Sequence, residues 1–97
     1  MMTKTKTTKP TAFWEIGQSY FIRTVTHYLV GQLEAVDEHE LVLSSAAWVA
    51  STGRLHQCLV TGSVDECEPF PDGPVLVGRG SIIDACRWPH ALLRVVK

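Results

Sequence analysis

The residues of this sequence best suited to metal or nucleophile chemistry are His56, Cys58, Cys67 and Cys86. His56 and Cys58 stand two apart, and Cys67 follows nine further on. Common zinc sites use close pairs such as C-x-x-C, so this spacing argues against a metal. His56 beside Cys58 is a nominal thiol–imidazole pair. Cys58, however, shares the apolar side of the Leu55, Cys58, Leu59 series and is read as packed in a core. The sequence contains no G-x-S-x-G, no H-E-x-x-H and no phosphate-cradling glycine loop. Neither an enzyme nor a bound cofactor is expected.

The elements that would position such residues are read from composition and periodicity. Ninety-seven residues suit one domain. Residues 1–10 alternate Thr and Lys, hold three basic groups and no acidic one, and are expected to form a disordered basic tail. Residues 11–97 are read as the single domain. That body carries six basic against ten acidic groups, which argues against coating duplex DNA, where affinity depends on neutralising many phosphates. The chain is 45% hydrophobic with three Trp, much apolar material for a small monomer, and burial against copies of itself is the sharper explanation. The three cysteines form an odd set with no close pairing. No apolar leader is read, and no apolar run approaches the roughly 20 residues that cross a bilayer. A reduced, cytoplasmic setting with free thiols and no membrane partner is the expectation.

Residues 11–17 (TAFWEIG), with Phe13, Trp14 and Ile16, allow a short helix or an irregular lead-in stopped by Gly17. From Ser19 onward β-branched and aromatic residues predict three consecutive strands: SYFIRTVTHY, LVGQLEAV and, after an Asp37-Glu38-His39 turn, ELVLSSAAWVA. In the second, Leu29, Gly31, Leu33 and Ala35 alternate against Val30, Gln32, Glu34 and Val36, and Gly31 marks a sharp bend. Residues 51–62 (STGRLHQCLVTG) predict a short amphipathic helix capped by Ser51 or Thr52 and stopped by Gly62. Residues 63–74, with Asp65, Glu66, Glu68, Asp72 and three prolines, read as an acidic loop. Two strands follow, VLVGRG and SIIDACRW, with Pro89 ending the last and an apolar tail of uncertain form beyond it.

Two of these segments resemble the Sm-like family, and especially its Hfq branch. Residues 21–43 (FIRTVTHYLVGQLEAVDEHELVL) match the first Sm motif through Gly31, Gln32-Leu33-Glu34, Asp37 and Leu41-Val42-Leu43. Residues 75–85 (VLVGRGSIIDA) match the second through Arg79, Gly80 and Ser81. Together they cover a little over a third of the chain, in the family's order. The resemblance implies an all-β fold: a small, strongly bent five-stranded Sm-like barrel with an enlarged connection between strands 3 and 4. It also implies edge-strand pairing into homo-oligomeric rings of about five to seven subunits, which would satisfy the exposed edges. The first turn, Thr26-His27, lacks the family's usual Gly, and the connection over residues 51–73 is longer than in Hfq, as in some Sm-like proteins of phage origin.

Carried over from the family, the RNA-binding positions near the pore are Glu38 and His39 on one turn and Arg79, Gly80 and Ser81 on the other. Arg79 could stack on a base or fork onto phosphate; the alternative is a pair with Asp84 or with a neighbouring subunit. His39 could stack on a base, but Glu38 and Glu40 flank it and repel phosphate. Asp37 is read as structural, accepting backbone N–H groups in its turn. Arg23, Thr24 and Thr26 are read as solvent-facing. Trp48 is expected in the core, and Trp88 in the core or an interface. The expected function is a ring that holds short single-stranded, U-rich RNA near its pore. The alternative is a ring-shaped scaffold or protein-interaction module that uses the acidic connection.

Overall fold

The computed structural model describes residues 13–97, so the expectation of a disordered tail over residues 1–10 lies outside the described residues. Six antiparallel strands form one sheet: β1 (Ser19–Thr24), β2 (Tyr28–Val36), β3 (Glu40–Ser51), β4 (Glu66–Pro69), β5 (Val75–Gly78) and β6 (Ile82–Arg87). A single helix, α1 (Leu55–Thr61), and a 3-10 turn, Arg79–Ser81, complete the regular structure. The β-rich class expected from the sequence is present, with one strand more than the five expected. The extra strand, β4, lies within the stretch read as a loop. Its residues pair with the C-terminal half of β3, Trp48 opposite Glu68 and Val49 opposite Cys67, and Val49 and Cys67 are buried together. Tertiary pairing overrides the weak strand propensity of Glu and Pro there.

The strand β3 is long enough to serve two partners along one side. Its first residues, Glu40 to Leu43, pair with β5, and its last pair with β4; its other side pairs with β2. β1 lies between β2 and β6. The sheet is not closed by a continuous ladder. It is nevertheless strongly curved. The Val25 N–H, in the turn before β2, donates to the Ser81 carbonyl at 3.0 Å, while the Arg79 N–H donates to the His39 carbonyl, in the turn after β2, at 2.9 Å. One three-residue turn thus touches both turns that flank a nine-residue strand, whose straight length would be about 30 Å.

Two bulges produce that curvature. Val30 pairs with Ala47 but Gln32 with Ser44, so β3 carries one extra residue opposite Gly31; Ser45 adopts φ 48° there. Gly31 fits closely at this point: a Cβ on it would lie 3.1 Å from Leu43 and 3.2 Å from Ala46, so both side chains would have to shift by a few tenths of an ångström. A second bulge follows, where Leu33 pairs with Leu43 but Ala35 with Val42. Each bulge shifts the alternation of faces by one. The expected series Leu29, Gly31, Leu33, Ala35 therefore fails at its end, where Ala35 is exposed and Val36 packs on the core.

Both faces of the sheet are covered. Tyr20, Ile22, Leu29, Leu33, Leu41, Leu43, Ala46 and Val77 form the inner core. Phe21, Val30 and Val49 point the other way and pack with Cys58, Val64, Cys67 and Trp88. Trp88, one of two open readings, is settled as core at 3% exposure. The lead-in, residues 13–18, contains no helix; its Glu15 N–H donates to the Tyr20 hydroxyl, which in turn donates to the Phe13 carbonyl. Helix α1 starts after Arg54 with no side-chain cap, not at Ser51 or Thr52, and ends as expected at Gly62 in the left-handed region. β6 ends at Arg87, ahead of Pro89. The apolar tail then crosses the outer face: Trp88 Nε1 donates to the Ala91 carbonyl, Arg94 to the carbonyls of Ala46 and Phe70, and Lys97 and Cys67 exchange backbone hydrogen bonds at 3.0 Å.

Candidate functional site: the joined turns and an aromatic groove

The turn between β2 and β3 is built by Asp37. Its Oδ1 accepts the N–H groups of His39 at 2.7 Å and Glu40 at 2.9 Å, the structural role read from sequence. These two N–H donors, with smaller help from the charges of His39 and Arg79, hold the Asp37 carboxyl below the ordinary carboxylate range. Glu38 and His39 project from the tip, their side chains 87% and 82% exposed, with Nε2 3.5 Å from the Glu38 carboxylate.

The turn between β5 and β6 meets this one directly. Besides the backbone bond from Arg79 to His39, Arg79 Nη1 donates to the Asp37 carbonyl at 2.6 Å. Ser81 Oγ donates to the Gly78 carbonyl and closes its own turn. A methyl group at Gly80 would meet nothing within 4 Å, so the chain's own packing does not demand this glycine. All five positions taken from the resemblance, Glu38, His39, Arg79, Gly80 and Ser81, therefore belong to two turns joined through Arg79. A guanidinium has five N–H donors, of which one is directed at Asp37, so Arg79 keeps capacity for a phosphate or a base edge.

Of the two alternatives for Arg79, the pair with Asp84 is corrected. Asp84 pairs with Arg23 instead, whose Nε donates to Asp84 Oδ1 at 3.1 Å. That guanidinium lowers the Asp84 carboxyl, and the carboxylate raises Arg23 in return. Thr24 is likewise not solvent-facing. It is buried, and its hydroxyl donates to the His27 carbonyl while accepting the His27 N–H, which holds the glycine-free first turn.

Among the described residues no group of three or more His, Cys, Asp or Glu is arranged to hold a metal ion. Cys58 and Cys67 are buried and Cys86 is half-buried; burial pushes the Cys58 and Cys86 thiols up.

Trp48, expected in the core, is 42% exposed. The Ser45 bulge is the reason: it shifts the phase of β3, so Trp48 pairs with Leu29 and shares the inner core's face, but at its open end. There it forms the floor of a groove of about 350 Å³ with His27, Glu68, Pro69, Phe70 and Pro71. The His27 ring stands edge-on to the indole at 5.3 Å. Sequence reasoning missed this groove, because strict alternation along β3 gives no hint of the extra residue. The adjacent serines Ser44-Ser45 inside an apolar strand were the one available signal.

No helix among the described residues is long and apolar enough to cross a membrane. Comparison with known proteins adds no relative: no family model, no curated protein and no solved structure matches this chain.

Proposed function

We propose that this chain is a subunit of an Sm-like ring that binds short single-stranded RNA, U-rich by preference, at the joined turns. The observation that carries the reading is the double hydrogen bond from Arg79 to the Asp37–His39 turn. It makes one surface of the two segments to which the resemblance assigns RNA contact. The order β5–β3–β2–β1–β6, with a 3-10 turn between β5 and β6, supports the barrel part of the proposal.

The two edges of the sheet support the ring. β4 pairs outward with Lys97 of the tail, whereas β5 and β6 have no second strand partner among the described residues. Leu76 on β5 is 60% exposed and Ile83 on β6 is 57% exposed. Pairing β5 of one copy with β6 of the next would satisfy both edges and bury both side chains. Glu38 opposes phosphate, so affinity in this reading comes from Arg79, repeated in every subunit, and from stacking on His39.

The test begins with light scattering on the purified protein, which should give a closed ring of about five to seven copies. Binding of an oligouridylate should weaken steeply with salt, and Arg79→Ala should reduce that dependence by several charges at once in an intact ring. His39→Ala should weaken binding by about 1 kcal/mol or more per stacked base. Duplex DNA should bind poorly. A stable monomer at micromolar concentration rules out the ring. Intact rings without affinity for any single strand at low salt rule out the RNA reading.

A further inference from the structure

The groove around Trp48 is separate from the joined turns and has a chemistry of its own. Trp48 and Glu68 are cross-strand partners of β3 and β4, neighbours whose Cβ atoms lie about 5 Å apart in such a pair. Of the six residues that line the groove, Glu68 is the one with a carboxylate, while Trp48, Phe70, Pro69 and Pro71 supply apolar walls. Glu68 is exposed and makes no ion pair among the described residues. Arg94 of the tail is directed at the carbonyls of Ala46 and Phe70.

We propose that this groove docks an extended, arginine-bearing segment of a partner protein. A planar guanidinium satisfies both features at once: it stacks on the indole face of Trp48 and forks onto the Glu68 carboxylate beside it. The proline and phenylalanine walls suit the flanking residues of an extended, proline-containing chain, whose conformation is already restricted before binding. A nucleic-acid strand fits less well, since the Glu68 carboxylate in the groove repels phosphate.

The probe is an N-acetylated, C-amidated decapeptide of alanine and proline with one central arginine, added to the full chain. The readout is the Trp48 indole N–H resonance, assigned by its loss in Trp48→Phe. A saturable shift is expected. Replacing the arginine by citrulline, which keeps the shape and removes the charge, should weaken binding about threefold to tenfold, and Glu68→Gln should weaken the arginine peptide by a similar factor. Trp48→Ala, followed through the Glu68 backbone amide resonance, should weaken it about tenfold or more. Unchanged amide spectra in Glu68→Gln and Trp48→Phe separate lost docking from lost folding. Four results overturn the proposal: no shift at millimolar peptide; equal shifts from the arginine and citrulline peptides; saturation of the same resonance by an oligouridylate; or a shift on dilution of the protein alone, which would assign the groove to a second copy. None of these depends on Arg79, so the RNA reading stands or falls separately.

Discussion

The two faces of the sheet are both buried, but by different means. The inner core draws every one of its buried members from a strand, and curvature folds them onto one another, with Trp14 and Phe70 packed against them from outside the strands. The outer core takes Phe21, Val30 and Val49 from strands and completes them with Cys58 of α1, Val64, Cys67 of β4, and Trp88 with Leu92 and Leu93 of the tail. The inner face is thus closed by the geometry of the sheet, the outer face by covering segments. Part of the apolar surplus noted in the sequence is therefore used within the chain, on the outer face, and need not all be assigned to contacts between copies.

The sharpest way to break this contrast is a cavity on the inner side. Leu43→Ala removes a fully buried side chain that faces Gly31 and should destabilise the whole domain by about 2–5 kcal/mol, read as a lowered denaturation midpoint with one cooperative transition. A change on the outer side should act more locally. Gly62 sits at φ 78°, and a Cβ there would fall 2.5 Å from the His90 ring, whose Nε2 bonds the Leu59 carbonyl. Gly62→Ala should destabilise by about 1–2 kcal/mol from the left-handed backbone alone, with further loss as His90 is displaced. Hydrogen exchange should show faster opening in α1 and residues 88–97 while β1–β3 remain protected. Equal acceleration in both regions would mean that the two cores open together.

Thiol labelling sharpens the comparison with a smaller effect. All three cysteines touch the outer core, two of them buried. At neutral pH Cys86 should react first, with Cys58 and Cys67 following only as the covering segments open. Gly62→Ala should therefore accelerate Cys58 and Cys67 more than Cys86. Simultaneous labelling of all three would show that the outer cover does not open independently.

The smallest expected effect is that of acid, and it lies outside both cores. Asp37 and Asp84 have folded-state values held below their ordinary ones, by backbone N–H groups and by Arg23 respectively. Such groups contribute stability that is present above the unfolded-state value, about 3.9, and is lost as pH falls through the depressed folded value. Replacing both with Asn should lower stability modestly at neutral pH, leave it nearly unchanged at low pH, and so flatten its loss below about pH 4. Both carboxylates are well exposed, so the change should be modest.

The strand and turn order of this protein is legible in its sequence wherever the signal is local. β-branched runs mark β1, β2, β3, β5 and β6, Gly31 marks the bend, Gly62 and Pro89 mark two ends, and Asp37 announces its turn. These depend on backbone preference and nearest neighbours, which the amino-acid order carries by itself. The tertiary structure alone decided the rest. β4 exists because β3 offers it an edge, Trp48 is exposed because one extra residue at Ser45 shifts the phase of the strand, and Arg79 reaches Asp37 because the sheet curves far enough to join two turns 42 residues apart. Register and curvature are properties of paired strands, summed over many contacts. No single segment contains them.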